Sequence, residues 1–229
     1  MCAKIKFSMI VSEMRNKLNG SVFSKNRAGN YVRNKVTPVN PQTSYQSAVR
    51  AALTAGSQAW RALTEAQRLS WNSAVSNFQN TDIFGDVKTP SGINLQNRLY
   101  LNANTIGGAP LTTPPSPGVT VGIPDATFAP DSSPQTFTLT SGLSAVPAGQ
   151  AWVIRATANQ SPGKSFFKNE YRVVAVLPAA TSLPYAGIAD YTAKFGALVG
   201  AQKVGWEVYA ISTTTFINGP ATRGNAIVL

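Results

Sequence analysis

Five of the chain's fifteen prolines fall between residues 110 and 124, at positions 110, 114, 115, 117 and 124. Proline lacks an amide hydrogen and holds φ fixed, so neither a helix nor a central strand runs through such a stretch. The regular structure must therefore be built on either side of it, and the two sides carry different hydrophobic periods. The expected division is a module at 1–108, a proline-rich linker at 109–125 and a second domain at 126–229.

The first part begins in strand periodicity. Ile5, Phe7, Met9 and Val11 alternate with Lys4, Lys6, Ser8 and Ile10, which predicts a strand with one buried face. Residues 20–25 and 30–36 are two further strand-like runs, and Asn26-Arg27-Ala28-Gly29 between them suits a hairpin tip. Alternation on the second run puts Tyr31, Arg33 and Lys35 on one side and Val32, Asn34 and Val36 on the other. Pro38 and Pro41 then stop the sheet.

Helix periodicity comes next. Asn40-Pro41 and Thr43 with Gln46 are competing starts for a helix running to about residue 60. Tyr45, Val49, Leu53 and Trp60 form its apolar face. Thr64 and Gln67 make a capping box for a second helix through about Asn77, flanked by Leu63 and Trp71. The two helices read as an αα-hairpin. After a turn at Phe84-Gly85-Asp86, Ser91 caps a third helix through Leu95, Leu99 and Leu101, which Gly107-Gly108 ends. Beyond residue 126 the runs 135–140, 151–158, 171–177, 204–212 and 226–229 read as strands between Pro and Gly turns. Residues 191–198 fit either a short helix or a strand. The fold class expected is α+β and multidomain: a β-hairpin plus αα-hairpin module, then an antiparallel β-sandwich of immunoglobulin or fibronectin type.

Charge is as unevenly distributed as periodicity. Nine Lys or Arg lie in the first fifty residues against one acid, Glu13, a net +8 out of +11 for the whole chain. A one-sign field over so short a stretch calls for a polyanion or an acidic partner. The candidate contact residues are Lys25, Arg27, Tyr31, Arg33 and Lys35 of the hairpin, together with Arg50. Cations on a ribbon can follow a phosphate backbone while a tyrosine stacks on a base. The same residues can instead meet an acidic neighbouring subunit or keep the arm solvated. Only Asn26, Asn30 and Asn34 suit base edges, so contact with nucleic acid would be sequence-independent. A helix-turn-helix reading of residues 64–77 finds Arg68 and little else basic, and Leu69, Trp71 and Phe78 read as packing residues.

Catalytic chemistry has little to work with. The chain has no histidine, which removes the commonest general base and zinc ligand, and Cys2 is its only cysteine. Neither a nucleophile elbow nor a phosphate-binding glycine loop occurs. Asp82 and Asp86 are the closest loop carboxylates, too few for more than a weak cation site. The expectation is no enzyme, no cofactor, no metal and no small-molecule substrate. Ser12 and Glu13 interrupt the apolar run at 7–11, too short for a signal-peptide core, and no run approaches a membrane span. A protein made and kept in a cytoplasm, or in something assembled there, is expected. With only 13% charged residues, its Asn-, Gln-, Ser- and Thr-rich surface suits burial against other subunits or a neutral β surface.

Several stretches carry a resemblance: Gly20 to Arg33 (GSVFSKNRAGNYVR), Pro38 to Thr43 with Gln46 and Arg50, and Ser57 to Arg68 with Trp71-Asn72. Ser91-Gly92, Asn97, the proline stretch and Ser161-Pro162-Gly163 extend it over most of the chain. The sequence resembles uncharacterised structural proteins of tailed bacteriophages and prophages, especially those of Bacteroidetes hosts. The resemblance implies a virion component made in the host bacterial cytoplasm, whose partners are other virion proteins and copies of itself. It leaves open capsid, portal or tail, and it carries no catalytic residue over. The alternative is a sequence-independent nucleic-acid-binding protein packaged with the phage genome.

Overall fold

A computed structural model describes residues 2–6, 13–27, 29–37, 39–82, 84–118, 122–123, 125–167 and 170–229. Most of the strand expected at 5–11 lies outside the described residues. Strands β1 (Cys2–Lys4), β2 (Asn16–Leu18), β3 (Ser21–Asn26) and β4 (Gly29–Asn34) form an antiparallel sheet in the order β1-β4-β3-β2. The β3–β4 hairpin turns between Asn26 and Gly29, where φ of +110° is open to glycine at no steric cost. Strand β4 ends at Asn34, so Lys35 lies past it, although its amide still donates to the Gly20 carbonyl at 2.7 Å.

Helix α1 spans Ser44–Ala62 and starts at Thr43, whose hydroxyl accepts from the Gln46 amide at 3.3 Å. A helix does not start from Asn40, because Gln42 has φ of +49°, outside the right-handed helical region, and the Asn40 side-chain oxygen instead accepts from Arg50 Nη2 at 2.7 Å. Helix α2 (Glu65–Ala74) opens on the complete Thr64–Gln67 capping box and tightens into a 3₁₀ turn, Val75–Phe78. The box and its two donors contribute about 1 kcal/mol. A short hairpin, β5 (Asn80–Thr81) with β6 (Val87–Lys88), leads to α3 (Gly92–Ile106), which ends at Gly107 with φ of +73°. Gly56 lets α1 and α3 approach closely: a Cβ there would come within 2.7 Å of the Asn97 side chain.

The remaining elements are β7 (Thr127–Ser132), β8 (Gln135–Thr140), β9 (Gln150–Ala156), β10 (Arg172–Leu177), β11 (Tyr185–Ala186), α4 (Ile188–Phe195), β12 (Lys203–Ser212) and β13 (Thr222–Ile227). They pair antiparallel into a four-stranded sheet, β10-β9-β12-β13, and a three-stranded sheet, β11-β8-β7. The molecule is thus mixed helix and sheet. Residues 191–195 resolve as helix, because Tyr191 turns inward and its hydroxyl donates to the Thr157 carbonyl at 3.0 Å. In this half β7 and β11 have no counterpart among the expected strands, and β13 starts four residues ahead of the run expected at 226–229. β7 carries Pro130, tolerated because β7 is an edge strand, and β13 begins in a run, Thr222-Arg-Gly-Asn225, without apolar alternation.

Strands β9 and β12 are apolar on both sides. One side bears Trp152, Ile154, Val208 and Ala210 and shares a core with Phe128, Phe137 and Leu139 of the three-stranded sheet. Phe128 stacks on Phe137 at 4.7 Å and meets Trp206 at 5.2 Å. The other side bears Val153 and Ile211, which share a core with Leu63, Trp71, Phe78, Leu95, Leu99 and Ala103 of the helical part. The helices therefore lie over the outer face of the four-stranded sheet, and the expected separation into modules does not extend to the packing. Nor is the proline stretch a free tether. Trp71 Nε1 donates to the Thr112 carbonyl at 3.0 Å, Ile123 is buried in the sheet core, and Thr222 donates to the Ile123 carbonyl at 3.4 Å.

The apolar stripe on α1 divides: Trp60 packs against the helical core, and the three residues before it have the opposite fate. Tyr45, Val49 and Leu53 are 50%, 44% and 46% exposed, and among the residues whose burial is described, from residue 4 onward, the first buried one is Gly56. Equal hydrophobicity at Leu53 and Trp71 should thus carry unequal weight. Trp71→Ala is expected to cost about 3–5 kcal/mol by chemical denaturation, whereas Leu53→Ser should change stability by no more than about 0.5 kcal/mol.

Candidate polyanion-binding face

Register sorts the N-terminal sheet into two unlike faces. Lys4 pairs opposite Tyr31, which pairs opposite Ser24, and Lys17 pairs opposite Val22, which pairs opposite Arg33. Residues directly opposite share a face, so Lys4, Lys17, Tyr31 and Arg33 lie on one side. Leu18, Phe23, Val32 and Lys25 lie on the other, with Phe23 opposite Val32 and Lys25 opposite Asn30. One face is cationic and the other largely apolar.

The six sequence candidates do not form one cluster. Tyr31 and Arg33 share the cationic face. Lys25 belongs to the opposite face by register, with its ammonium 3.8 Å from Glu13. Arg27 is exposed at the hairpin tip, Lys35 lies past the strand end, and Arg50 sits on α1 bound to Asn40. Lys17 joins the face and Arg15 its rim without having stood among the candidates. Strand alternation does not relate the two, because Arg15 precedes β2 and Asn16 between them has φ of +80°; the hollow beside β3 that both line is what brings them together. A shallow concavity of about 510 Å³ is lined by Arg15, Lys17, Ser24, Lys25 and Arg33, among others. Glu13 sits at this group and accepts from Arg15 Nε at 2.9 Å, and that hydrogen bond foremost holds its carboxyl below the ordinary value. Lys17 and Arg33 have no carboxylate partner among the described residues.

A second ionic cluster ties this sheet to the helical part. Lys4 Nζ is 3.2 Å from Asp82, Lys6 Nζ is 3.1 Å from Asp86, and Lys88 lies 3.8 Å from both carboxylates. The two aspartates read as a weak cation site are thus already surrounded by three ammonium groups. Asp82 also accepts from the Phe84 and Asp86 amides at 2.8 and 3.0 Å. Burial pushes its carboxyl up, but those amide bonds and Lys4 outweigh burial and hold it below the ordinary carboxylate value.

Elsewhere the charged groups serve the fold. Arg68 donates to the Trp60 and Arg61 carbonyls at 3.4 and 2.8 Å, closing the C-terminus of α1 instead of facing outward to read a groove. Glu207, 4% exposed in its side chain, accepts from Arg155 at 2.6 Å through one oxygen and from Arg223 at 2.7 Å through the other. Lys164 is paired with Glu170. No group of three potential metal ligands occurs among the described residues, and no described helix is long and apolar enough to cross a membrane.

No protein-family model matches the chain, and no curated protein or solved structure is significantly similar to it.

The Asp82 cluster gives a direct test. Asp82→Asn should free Lys4 and Lys88, speeding limited proteolysis within residues 2–6 while leaving the unfolding of the β sheets unchanged. Because the Asp82 carboxyl is depressed in the fold, its contribution is present above its unfolded value near pH 4 and is lost as pH falls further. Acidification below about pH 4 should reproduce the proteolytic effect in the native sequence and add nothing in the variant.

Proposed function

We propose that this chain is a structural protein of a bacteriophage virion that docks through its N-terminal module into a capsid, portal or tail assembly. The observation that carries the reading is the exposed α1 stripe of Tyr45, Val49 and Leu53, set in a described segment without a buried side chain before Gly56. An apolar stripe is ordinarily the face a helix buries, and one left in water on an ordered helix is an interaction surface. Arg50 and Arg61 line an open groove of about 540 Å³ with Leu53 on the same helix, so an acidic rim on the partner suits it. The sequence resemblance to phage structural proteins points the same way.

Residues 126–229 are read as a sandwich of the fibronectin or immunoglobulin class. In support, the first, second and fifth strands of this half form one sheet, while the third, fourth, sixth and seventh form the other, around one core. Its role is lateral or outward contact. Assembly proceeds by mass action, with many weak contacts repeated by symmetry raising effective concentration, and no chemical step. The partners are other virion proteins and further copies of this chain, and the location is the particle, assembled in the bacterial cytoplasm.

Mass spectrometry of purified particles should detect the protein at a fixed stoichiometry, and its absence would end the reading. The double variant Val49→Asp with Leu53→Asp should lower incorporation at least tenfold while the purified protein unfolds at the native temperature. Normal incorporation of that variant would remove α1 as the docking surface.

A further inference from the structure

We infer that the cationic face of the N-terminal sheet binds the phosphodiester backbone of nucleic acid, irrespective of sequence, through Lys17 and Arg33, with Arg15 and Lys25, which lie off that face, at the rim of the same concavity. This goes beyond particle docking, which uses the apolar stripe of α1, and assigns a second surface to a second kind of partner.

Four observations carry it. The four cations line one concavity of about 510 Å³. Only one carboxylate, Glu13, approaches them among the described residues, and it reaches Arg15 and Lys25 alone, leaving Lys17 and Arg33 to attract an anion from outside. Lys17 and Arg33 are separated by one strand and share a row, as the register Lys17–Val22–Arg33 requires. With adjacent strands about 4.8 Å apart, the two Cα positions stand roughly 10 Å apart, a span that side chains of this length close to the distance between successive phosphates. Ser24 and Tyr31 lie on the same face and supply a hydroxyl for a phosphate oxygen and a ring for a base.

The source of the anion can be narrowed. A second copy of this chain is a poor counterpart: of its nine acids, Glu13, Glu65, Asp82, Asp86, Glu170 and Glu207 already face lysines or arginines of their own chain, Asp190 is held by the Tyr185 hydroxyl and Asp131 accepts from the Ser133 amide, which leaves Asp125. An acidic protein surface is also less suited. Protein interfaces bury an apolar, charge-poor centre, and the centre of this face is lysine, arginine and serine, with Val22 its one aliphatic side chain among those described. Phosphodiester recognition needs no apolar anchor, only cations at intervals along a groove. The absence of histidine and the scarcity of base-reading side chains leave the contact blind to sequence.

The test uses the full chain and labelled 20-nucleotide single strands and 20-base-pair duplexes of two unrelated sequences, followed by fluorescence anisotropy from 50 to 300 mM salt. Binding should be equal for the two sequences within about twofold. Four neutralised phosphates give a log–log salt slope of about −3 for single strands and about −3.5 for duplex. The variant Lys17→Ser with Arg33→Ser should weaken binding at least tenfold at 100 mM salt and reduce the slope by roughly half. Arg172→Ser with Lys194→Ser, on the opposite half of the chain, should leave both unchanged, and circular dichroism should show all variants folded. No binding at 50 mM salt overturns the proposal. So does binding that survives the Lys17/Arg33 change, or binding to polyglutamate tighter than to either DNA. These results are independent of particle incorporation, so either reading can fail while the other stands.

Discussion

The pairing of β9 with β12 is the contact on which the rest of the structure depends. Each strand is buried along nearly its whole length, and successive residues face opposite cores. Trp152, Ile154, Val208 and Ala210 close the space beneath the smaller sheet, while Val153 and Ile211 receive the helices that carry Trp71, Leu95 and Leu99. A strand pair apolar on one side alone would stabilise only one of these layers. Because it is apolar on both, the helical part and the sheets are energetically one body, and the proline stretch between them is held at Thr112 and Ile123.

What that pair does not reach is the N-terminal sheet and the first half of α1. These have hydrogen-bonded regular structure without a core of their own, and a small sheet needs a covered face for independent stability. Ion pairs tie the sheet to the rest, from Lys4 and Lys6 to Asp82 and Asp86, with Lys6 also lying 5.4 Å over the Phe84 ring. Lys6 and Asp86 are both open to water, where an ion pair is screened and holds little, so the nearly enclosed Asp82 is the stronger tie. The part of the chain richest in charge is thus the part with least internal support. That coincidence makes physical sense if its stability is completed from outside, by a protein against α1 and by an anion against the sheet.

Local chemistry is the most legible layer of the sequence. Thr64 with Gln67, Ser91 and Gly107 bound their helices as the residues require, and Asn26 to Gly29 turns the hairpin. Competition is less legible. Asn40 and Thr43 are equivalent caps on paper, and the left-handed backbone of Gln42 between them leaves only Thr43 to open the helix. Burial is least legible. The stripe Tyr45, Val49, Leu53 and the stripe Leu95, Leu99, Ala103 have the same helical spacing, yet one is exposed and the other sealed, because α3 shares a core with Ile211 and Phe216 and the first turns of α1 do not. For the candidate face, alternation places Tyr31 and Arg33 correctly, but the contributions of Lys17 and Arg15 arise from β2 pairing beside β3, a register that no single strand encodes.

Amide hydrogen exchange on the isolated protein, resolved by peptide, tests this division most directly. If the account holds, amides of β3, β4 and residues 44–54 exchange through local opening at least a hundredfold faster than those of β9 and β12, which open only with the whole molecule. They should also gain protection when particles or DNA are added. Equal protection of residues 21–34 and 150–156 in the free monomer would contradict it, because the N-terminal sheet would then be as fully supported as the centre of the fold.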